Sequence, residues 1–215
     1  MARRYDCSDA ADRKTGLREA ASAVRRGELV VLPTDTVYGI GADAFAEEAV
    51  GSLLDAKGRG RNMPTPVLIG SPNTLHGLVK DLSEEAWELI DAFWPGALTV
   101  VAQHQPSLTW DLGETRGTVA VRMPLHPVAL ELLKDVGPMA VSSANLTGHP
   151  APQDCDAAQE MLGESVSVYL DGGTTPAAVP SSIVDITGPT PVLLREGAVT
   201  AEQLREVAGG LEVAS

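Results

Sequence analysis

Residues 29–44 read LVVLPTDTVYGIGADA. Leu29 to Leu32 is a short apolar run closed by Pro33, the pattern of a buried strand. A polar turn with Thr34 and Thr36 follows, and then Gly39-Ile40-Gly41-Ala42-Asp43-Ala44, which fits G-x-G-x-x-A. That fingerprint binds a dinucleotide only when its first glycine lies in the tight turn directly after the strand. Here six residues, 33–38, intervene, which argues against a dinucleotide site.

Outward from this stretch, helix and strand patterns alternate. Residues 15–26 predict a helix, with Leu17, Ala20, Ala21 and Val24 on one face and Gly27 as its stop. Glu47 to Lys57 predicts a second, acidic in its first turn and basic at its end. Val67 to Ile69 is a short strand, and Ser71-Pro72 reads as an N-cap with proline at the first helical position. Ser83 opens an amphipathic helix bearing Trp87, Leu89, Ile90 and Phe93, ended by Pro95-Gly96. Further helices run over Pro127 to Val136, from Asp154 to near Gly163, and from Thr200 to Ala208. Further strands are Leu98 to Ala102, Val119 to Val121, Met139 to Val141, Val166 to Leu170, Ile183 to Ile186 and Val192 to Leu194. The interleaving predicts an α/β fold. Strand pairs with no helix between them predict a mixed sheet. Residues 15–205 read as a single domain, with 1–14 and 206–215 as terminal extensions. Gly172 to Ser182 is the one loose stretch, and a loop of that length inside a domain is more often functional than a linker.

The 215 residues are 44% hydrophobic and carry a net charge of -13, which excludes a generally basic protein that coats nucleic acid. The charge is uneven: residues 1–80 are close to neutral, whereas 81–215 hold 5 basic against 19 acidic residues. A basic residue in the second part is therefore informative. Cys7 and Cys155 form no CxxC pair and read as free thiols. The four histidines show no metal-ligand spacing. No signal-peptide core and no run near the ~20 apolar residues of a membrane span is present, so the expected location is cytoplasmic.

Three sets of residues carry candidate chemistry. Lys57-Gly58-Arg59-Gly60-Arg61 alternates cations with glycines, a pattern that lets backbone and charge approach phosphate oxygens. Arg122 and Arg195 each follow an apolar strand, where ligands of open α/β sheets sit. Hydroxyls and amides gather at similar places: Thr34 and Thr36, Ser142-Ser143-Ala144-Asn145, and Ser181-Ser182. There is no G-x-x-x-x-G-K-[ST], no G-x-S-x-G and no nucleophile–base pair. The reading is an anion-binding cleft that works by positioning and charge compensation, as in phosphoryl or nucleotidyl transfer.

Leu32 to Gly41 (LPTDTVYGIG), Lys57-Gly58-Arg59, Trp94-Pro95-Gly96, Val121 to Pro124, Ser143-Ala144-Asn145, Pro180 to Asp185 and Arg195-Glu196-Gly197 occur in an order that resembles the YrdC-type threonylcarbamoyl-adenylate synthase family, over about residues 15–205. The resemblance implies a YrdC-like twisted mixed sheet with flanking helices and a concave cationic cavity. It implies that L-threonine, bicarbonate and ATP, with Mg2+, give threonylcarbamoyl-AMP and pyrophosphate, and that a separate transferase carries the product to tRNA. By the same resemblance Thr36, Tyr38, Arg122 and Ser181 hold threonine. Lys57, Arg59, Asn62, Thr118, Ser143, Asn145 and Arg195 face ATP, with Lys57 and Arg59 as the catalytic cations. No protein metal ligand is implied, and direct tRNA binding is expected to be weak or absent. The chain differs from the family pattern at Gly60, where proline is common, and at Gly70 or Ser71, where a histidine is. Rival readings are a non-catalytic RNA-binding protein of the same fold and a related carbamoyl-transfer enzyme.

Overall fold

The computed structural model describes residues 2–176 and 179–214. Ala177 and Ala178, in the middle of the expected functional loop, lie outside the described residues. In chain order the strands are β1 (Arg3–Asp6), β2 (Val30–Leu32), β3 (Gly39–Asp43), β4 (Val67–Leu68), β5 (Leu98–Gln103), β6 (Thr118–Arg122), β7 (Met139–Ser143), β8 (Val168–Asp171), β9 (Ser182–Asp185), β10 (Val192–Arg195) and β11 (Glu212–Val213). The helices are α1 (Ala10–Arg25), α2 (Glu47–Lys57), α3 (Leu75–Leu78), α4 (Glu84–Phe93), α5 (Pro127–Val136), α6 (Cys155–Leu162) and α7 (Ala201–Val207). The strands form one twisted mixed sheet in the order β1-β8-β2-β3-β7-β4-β6-β5-β9-β10-β11.

Several elements differ from the sequence reading. The near-fingerprint Gly39 to Ala44 is largely strand β3, antiparallel to both β2 and β7. Glycine is depleted in strands, yet here its missing side chain serves packing. A Cβ at Gly39 would lie 2.6 Å from Val141 Cγ1, and one at Gly41 2.8 Å from Met139 Cε. Helix α1 starts five residues early, because Asp9 caps it by accepting from the N–H groups of Ala11 and Asp12. Ser71 makes no side-chain cap; Pro72 instead opens a 3-10 turn, Pro72–Thr74, that leads into α3. Strand β7 runs on through Ser142 and Ser143, which the sequence places in a loop. The sheet also extends into both terminal stretches, through β1 against β8 and β11 against β10. The Ser83, Asp154 and Thr200 caps form as expected, the last as a full capping box with Gln203.

Three apolar clusters fill the two sides of the sheet. On one side Val67, Val119, Val121, Val100, Ala102, Val184 and Leu193 pack against α3, α4 and α7. On the same side Val31, Ile40, Ala42 and Tyr169 pack against α2 and α6. On the other side α1 and α5 cover only the β8-β2-β3-β7-β4 part, through Val30, Leu32, Val141, Met139 and Leu68. Beyond β4 no helix among the described residues lies over that second face. The burial of β6 shows this: Val119 and Val121 are buried on the first face, whereas Thr118 and Ala120 on the second are half-buried. This helix-free strip carries Thr118, Arg122 and Thr99, the last two buried beneath loops.

Candidate active site

One hydroxyl folds the turn at Pro33–Tyr38. Thr34 Oγ1 donates to the Val37 carbonyl (2.6 Å) and accepts from the backbone N–H groups of Thr36 and Val37 (both 3.2 Å), a local competition for the backbone at which threonine excels. The turn carries Asp35 and Thr36 onto Arg122, the last residue of β6. Arg122 Nε donates to the Gly96 carbonyl (2.8 Å), Nη1 to Thr36 Oγ1 (2.9 Å) and Nη2 to Asp35 Oδ1 (2.5 Å). The same Asp35 oxygen accepts from the Leu125 N–H at 2.9 Å. Arg122 is only 6% exposed. Burial pushes its pKa down, Asp35 opposes the fall and the charge of Arg195 adds to it. A guanidinium stays protonated through such shifts. Among the described residues the protein holds three of its five N–H groups, which leaves two for a ligand.

Ser181 stands beside this arginine. Its carbonyl accepts from Arg195 Nε (3.2 Å) and Nη2 (2.7 Å), and its hydroxyl lies 2.8 Å from that of Thr99. Gly197 permits the crossing of the two segments, since a Cβ there would sit 2.2 Å from the Pro180 carbonyl oxygen. Tyr38, which the resemblance assigns to the threonine pocket, follows Thr36 in the same turn. It is fully buried, its hydroxyl donates to the Gly173 carbonyl (2.6 Å) and accepts from the Gly172 N–H (3.0 Å), and so it anchors the base of the Gly172–Ser182 loop. Burial pushes its pKa up.

A second group gathers at the C-terminal end of β7. Lys57 ends α2, and Gly58, in the left-handed region at φ 58°, turns the chain away. Lys57 Nζ donates to the carbonyls of Ser143 and Asn145 (the latter 2.6 Å). Burial, with the neighbouring charge of Arg59, lowers its pKa to about 8. Arg59 Nη1 donates to Ser142 Oγ (2.9 Å), while Nε and Nη2 reach the carbonyls of Met63 (2.9 Å) and Pro64 (3.3 Å). Asn145 donates through Nδ2 to the carbonyls of Leu146 and His149, and its Oδ1 is buried without a partner among the described residues. Ser143 is half-buried, on the strip's face of the sheet. Asn62 is exposed and makes no hydrogen bond among the described residues.

The structure thus brings the expected residues into two groups, and β6 joins them. Thr118 and Arg122 lie on one face of that strand, four residues or about 13 Å apart. Arg122, Thr36, Ser181 and Arg195 occupy one end. Thr118 marks the other end of β6, and Lys57, Arg59, Ser143 and Asn145 gather at the C-terminal end of β7, two strands from β6. The sequence reading missed Asp35, Thr99 and the structural part of Thr34. The signal for Asp35 was present, a carboxylate between two threonines in the most specific stretch of the chain; Thr99 carries none, being one apolar-run residue among several.

A family model described as Sua5_yciO_yrdC, telomere recombination, matches residues 22–197. The chain belongs to the Sua5/YciO/YrdC family. A Mycobacterium tuberculosis protein named "Putative threonylcarbamoyl-AMP synthase" is 56% identical over 209 residues, covering 97% of this chain and 96% of its own. The Pyrococcus abyssi threonylcarbamoyl-AMP synthase is 39% identical over 198 residues, 92% of this chain and 58% of that protein. Among solved structures, P. abyssi Sua5 complexed with L-threonine superposes with a TM-score of 0.92 at 36% identity, covering 100% of this chain and 62% of that one. The chain therefore spans about three-fifths of that Sua5. Escherichia coli YciO, at 24% identity and a TM-score of 0.82 over 92% of this chain and 97% of that one, shares the fold. No helix among the described residues is long and apolar enough to cross a membrane.

Proposed function

We propose that this Sua5/YciO/YrdC chain is a threonylcarbamoyl-AMP synthase: it joins L-threonine, bicarbonate and ATP into threonylcarbamoyl-AMP and releases pyrophosphate. The observation that carries the reading is the uncovered strip of β6, with a buried arginine that keeps two N–H groups free at one end and a cluster of cations near the other. The names of the relatives and the threonine complex of P. abyssi Sua5 support it.

Threonine binds at the Arg122 end, its carboxylate on the free N–H groups, with Thr36 and Ser181 beside it. ATP lies toward Lys57, Arg59, Thr118, Ser143 and Asn145, and Arg195 meets it from the threonine end. The threonine amine, having lost its ammonium proton, attacks the bicarbonate carbon; a C–O bond breaks, water leaves and a carbamate results. A carbamate oxygen attacks the α-phosphorus, and the bond from that phosphorus to the bridging oxygen of pyrophosphate breaks. No side chain forms a covalent bond to substrate. The cations offset charge that grows on the phosphate oxygens, and each such bond contributes about 1.5–3 kcal/mol. Together they line a concave cationic cavity.

Mg2+ enters with ATP and supplies charge neutralisation at the phosphates. Asn145 Oδ1, unpartnered among the described residues, is a hard oxygen that would ligate this ion or accept from its waters. The product passes to a separate tRNA-modifying transferase in the cytoplasm, and this chain itself binds tRNA weakly. Every residue named for the reaction lies within 15–205, while β1, the start of α1 and β11 complete the fold outside those bounds.

The reading is tested by measuring pyrophosphate release with threonine, bicarbonate and ATP omitted in turn. Release that needs all three is expected; equal turnover without threonine overturns the assignment.

A further inference from the structure

Of the three cations in Lys57-Gly58-Arg59-Gly60-Arg61, Arg61 alone is exposed. Its side chain reaches Asp111, in the loop between β5 and β6, where Nη2 donates to both carboxylate oxygens. The two loops also meet through their backbones. The Glu114 N–H donates to the Arg61 carbonyl (2.8 Å), and the Thr65 N–H to the Leu112 carbonyl (2.9 Å). Gly113 makes this approach possible. Its φ is 101°, and a Cβ there would lie 2.7 Å from the Arg61 carbonyl oxygen.

Each loop carries a residue of the ATP end. Arg59 rests Nε and Nη2 on the carbonyls of Met63 and Pro64, which lie between the two anchored residues Arg61 and Thr65. On the other loop Thr115 follows Glu114 directly. Its carbonyl accepts from both the hydroxyl (2.8 Å) and the N–H (3.1 Å) of Thr118. A shift of one loop against the other therefore moves Arg59 relative to Thr118. The ion pair closes the outer rim of this junction, its side chains 54% and 29% exposed. A pair so exposed adds little to stability, so its effect lies in where the loops stand rather than in how firmly the chain folds.

We propose that Arg61 and Asp111 are positioning residues for the nucleotide: their ion pair latches the loop that carries Arg59 to the loop that delivers Thr118. Arg61 acts through those two residues and does not itself contact phosphate. The proposal rests on the reading of this end as the ATP site.

The test measures binding of ATP with Mg2+, and separately of L-threonine, to the full chain by calorimetry, with the thermal midpoint followed alongside. In Arg61→Gln and in Asp111→Asn, ATP affinity is expected to fall about three- to fivefold, with threonine affinity and the thermal midpoint little changed. Asparagine keeps the oxygen that accepts the Gly113 N–H at 3.1 Å, so the turn itself survives. Combining the two substitutions costs no more than either alone, because each breaks the same pair. The exchange of Arg61→Asp with Asp111→Arg recovers part of the loss. If Asp111→Asn does not fold, Asp111→Ser is read in its place. A loss in Arg61→Gln with Asp111→Asn binding ATP as well as wild type would make Arg61 a phosphate ligand and overturns the proposal. So does a double mutant whose loss is the sum of the two, equal weakening of ATP and threonine, or a fallen thermal midpoint with ATP affinity unchanged. A wild-type chain that binds no ATP overturns the ATP reading and this inference with it. A wild-type chain that binds ATP, with both variants binding it equally well, overturns this inference alone.

Discussion

Lys57 ends α2 with its ammonium turned inward between two backbone carbonyls, and burial holds its pKa near about 8. Below that pH the side chain is charged in the folded and the unfolded chain alike. Above it, and up to the ordinary lysine value, the unfolded chain keeps the proton that the folded chain has lost, so this residue's contribution to stability rises with pH. Its use to a bound polyphosphate runs the other way, since the neutral amine offers no charge. The KM for ATP is therefore expected to climb as the pH passes about 8, with the KM for threonine moving less. An ATP KM that stays flat across that range would remove Lys57 from the phosphate-binding role. Arg59 and Arg122 follow a different rule: burial lowers both, yet a guanidinium keeps its charge at any working pH. Lys57 is the one of these three whose charge burial brings within reach of a neutral-to-alkaline titration.

At the scale of elements, the β2–β3 hairpin matters most. It is short, and its turn is set by Thr34 rather than by a glycine pair. Strand β3 can lie flat against β7 because Gly39 and Gly41 present no side chain to Val141 and Met139. Gly39→Ala is expected to destabilise the protein by about 1–3 kcal/mol through overpacking. Val141→Ala in the same chain should recover part of that loss, because the clash is with the valine's Cγ1, as denaturant midpoints would report. A single mutant as stable as wild type would show that the strands part freely. The sequence made β2, α2, α4, α5 and α7 legible, because periodic apolar residues and capping side chains mark them locally. It left β3 and β1 hidden. β3 is glycine-rich and β1 is charged, and both are strands because neighbours accept them: β3 between β2 and β7, β1 along the edge of β8. Propensity yields to tertiary pairing at such places.

For the whole molecule, the net charge of -13 sets the partners it attracts. A body this acidic repels polyanions at a distance, and the cations of the site are already engaged with the protein's own oxygens. In a salt-titrated binding assay, tRNA is expected to bind weakly, with a shallow dependence on salt. Tight binding with a steep salt slope would instead point to a nucleic-acid surface. The same global view explains why the site is where it is. Helices α1 and α5 cover one face of the sheet only as far as β4, and beyond it the polar residues of β5 and β6 are left without a lid of helix.

By itself the sequence determined the α/β alternation, the caps, the uneven charge and the identity of nearly every polar residue that gathers at the site. These are written locally, in periodicity, in hydroxyls before helices and in rare basic residues after strands. Only the tertiary structure decided that Asp35 pairs with Arg122, that the Tyr38 hydroxyl holds the base of the Gly172–Ser182 loop, and that the Thr99 and Ser181 hydroxyls meet. Those outcomes depend on strand register and on which buried donor finds which acceptor. Both are settled by packing between segments 60 or more residues apart, and no local pattern encodes them.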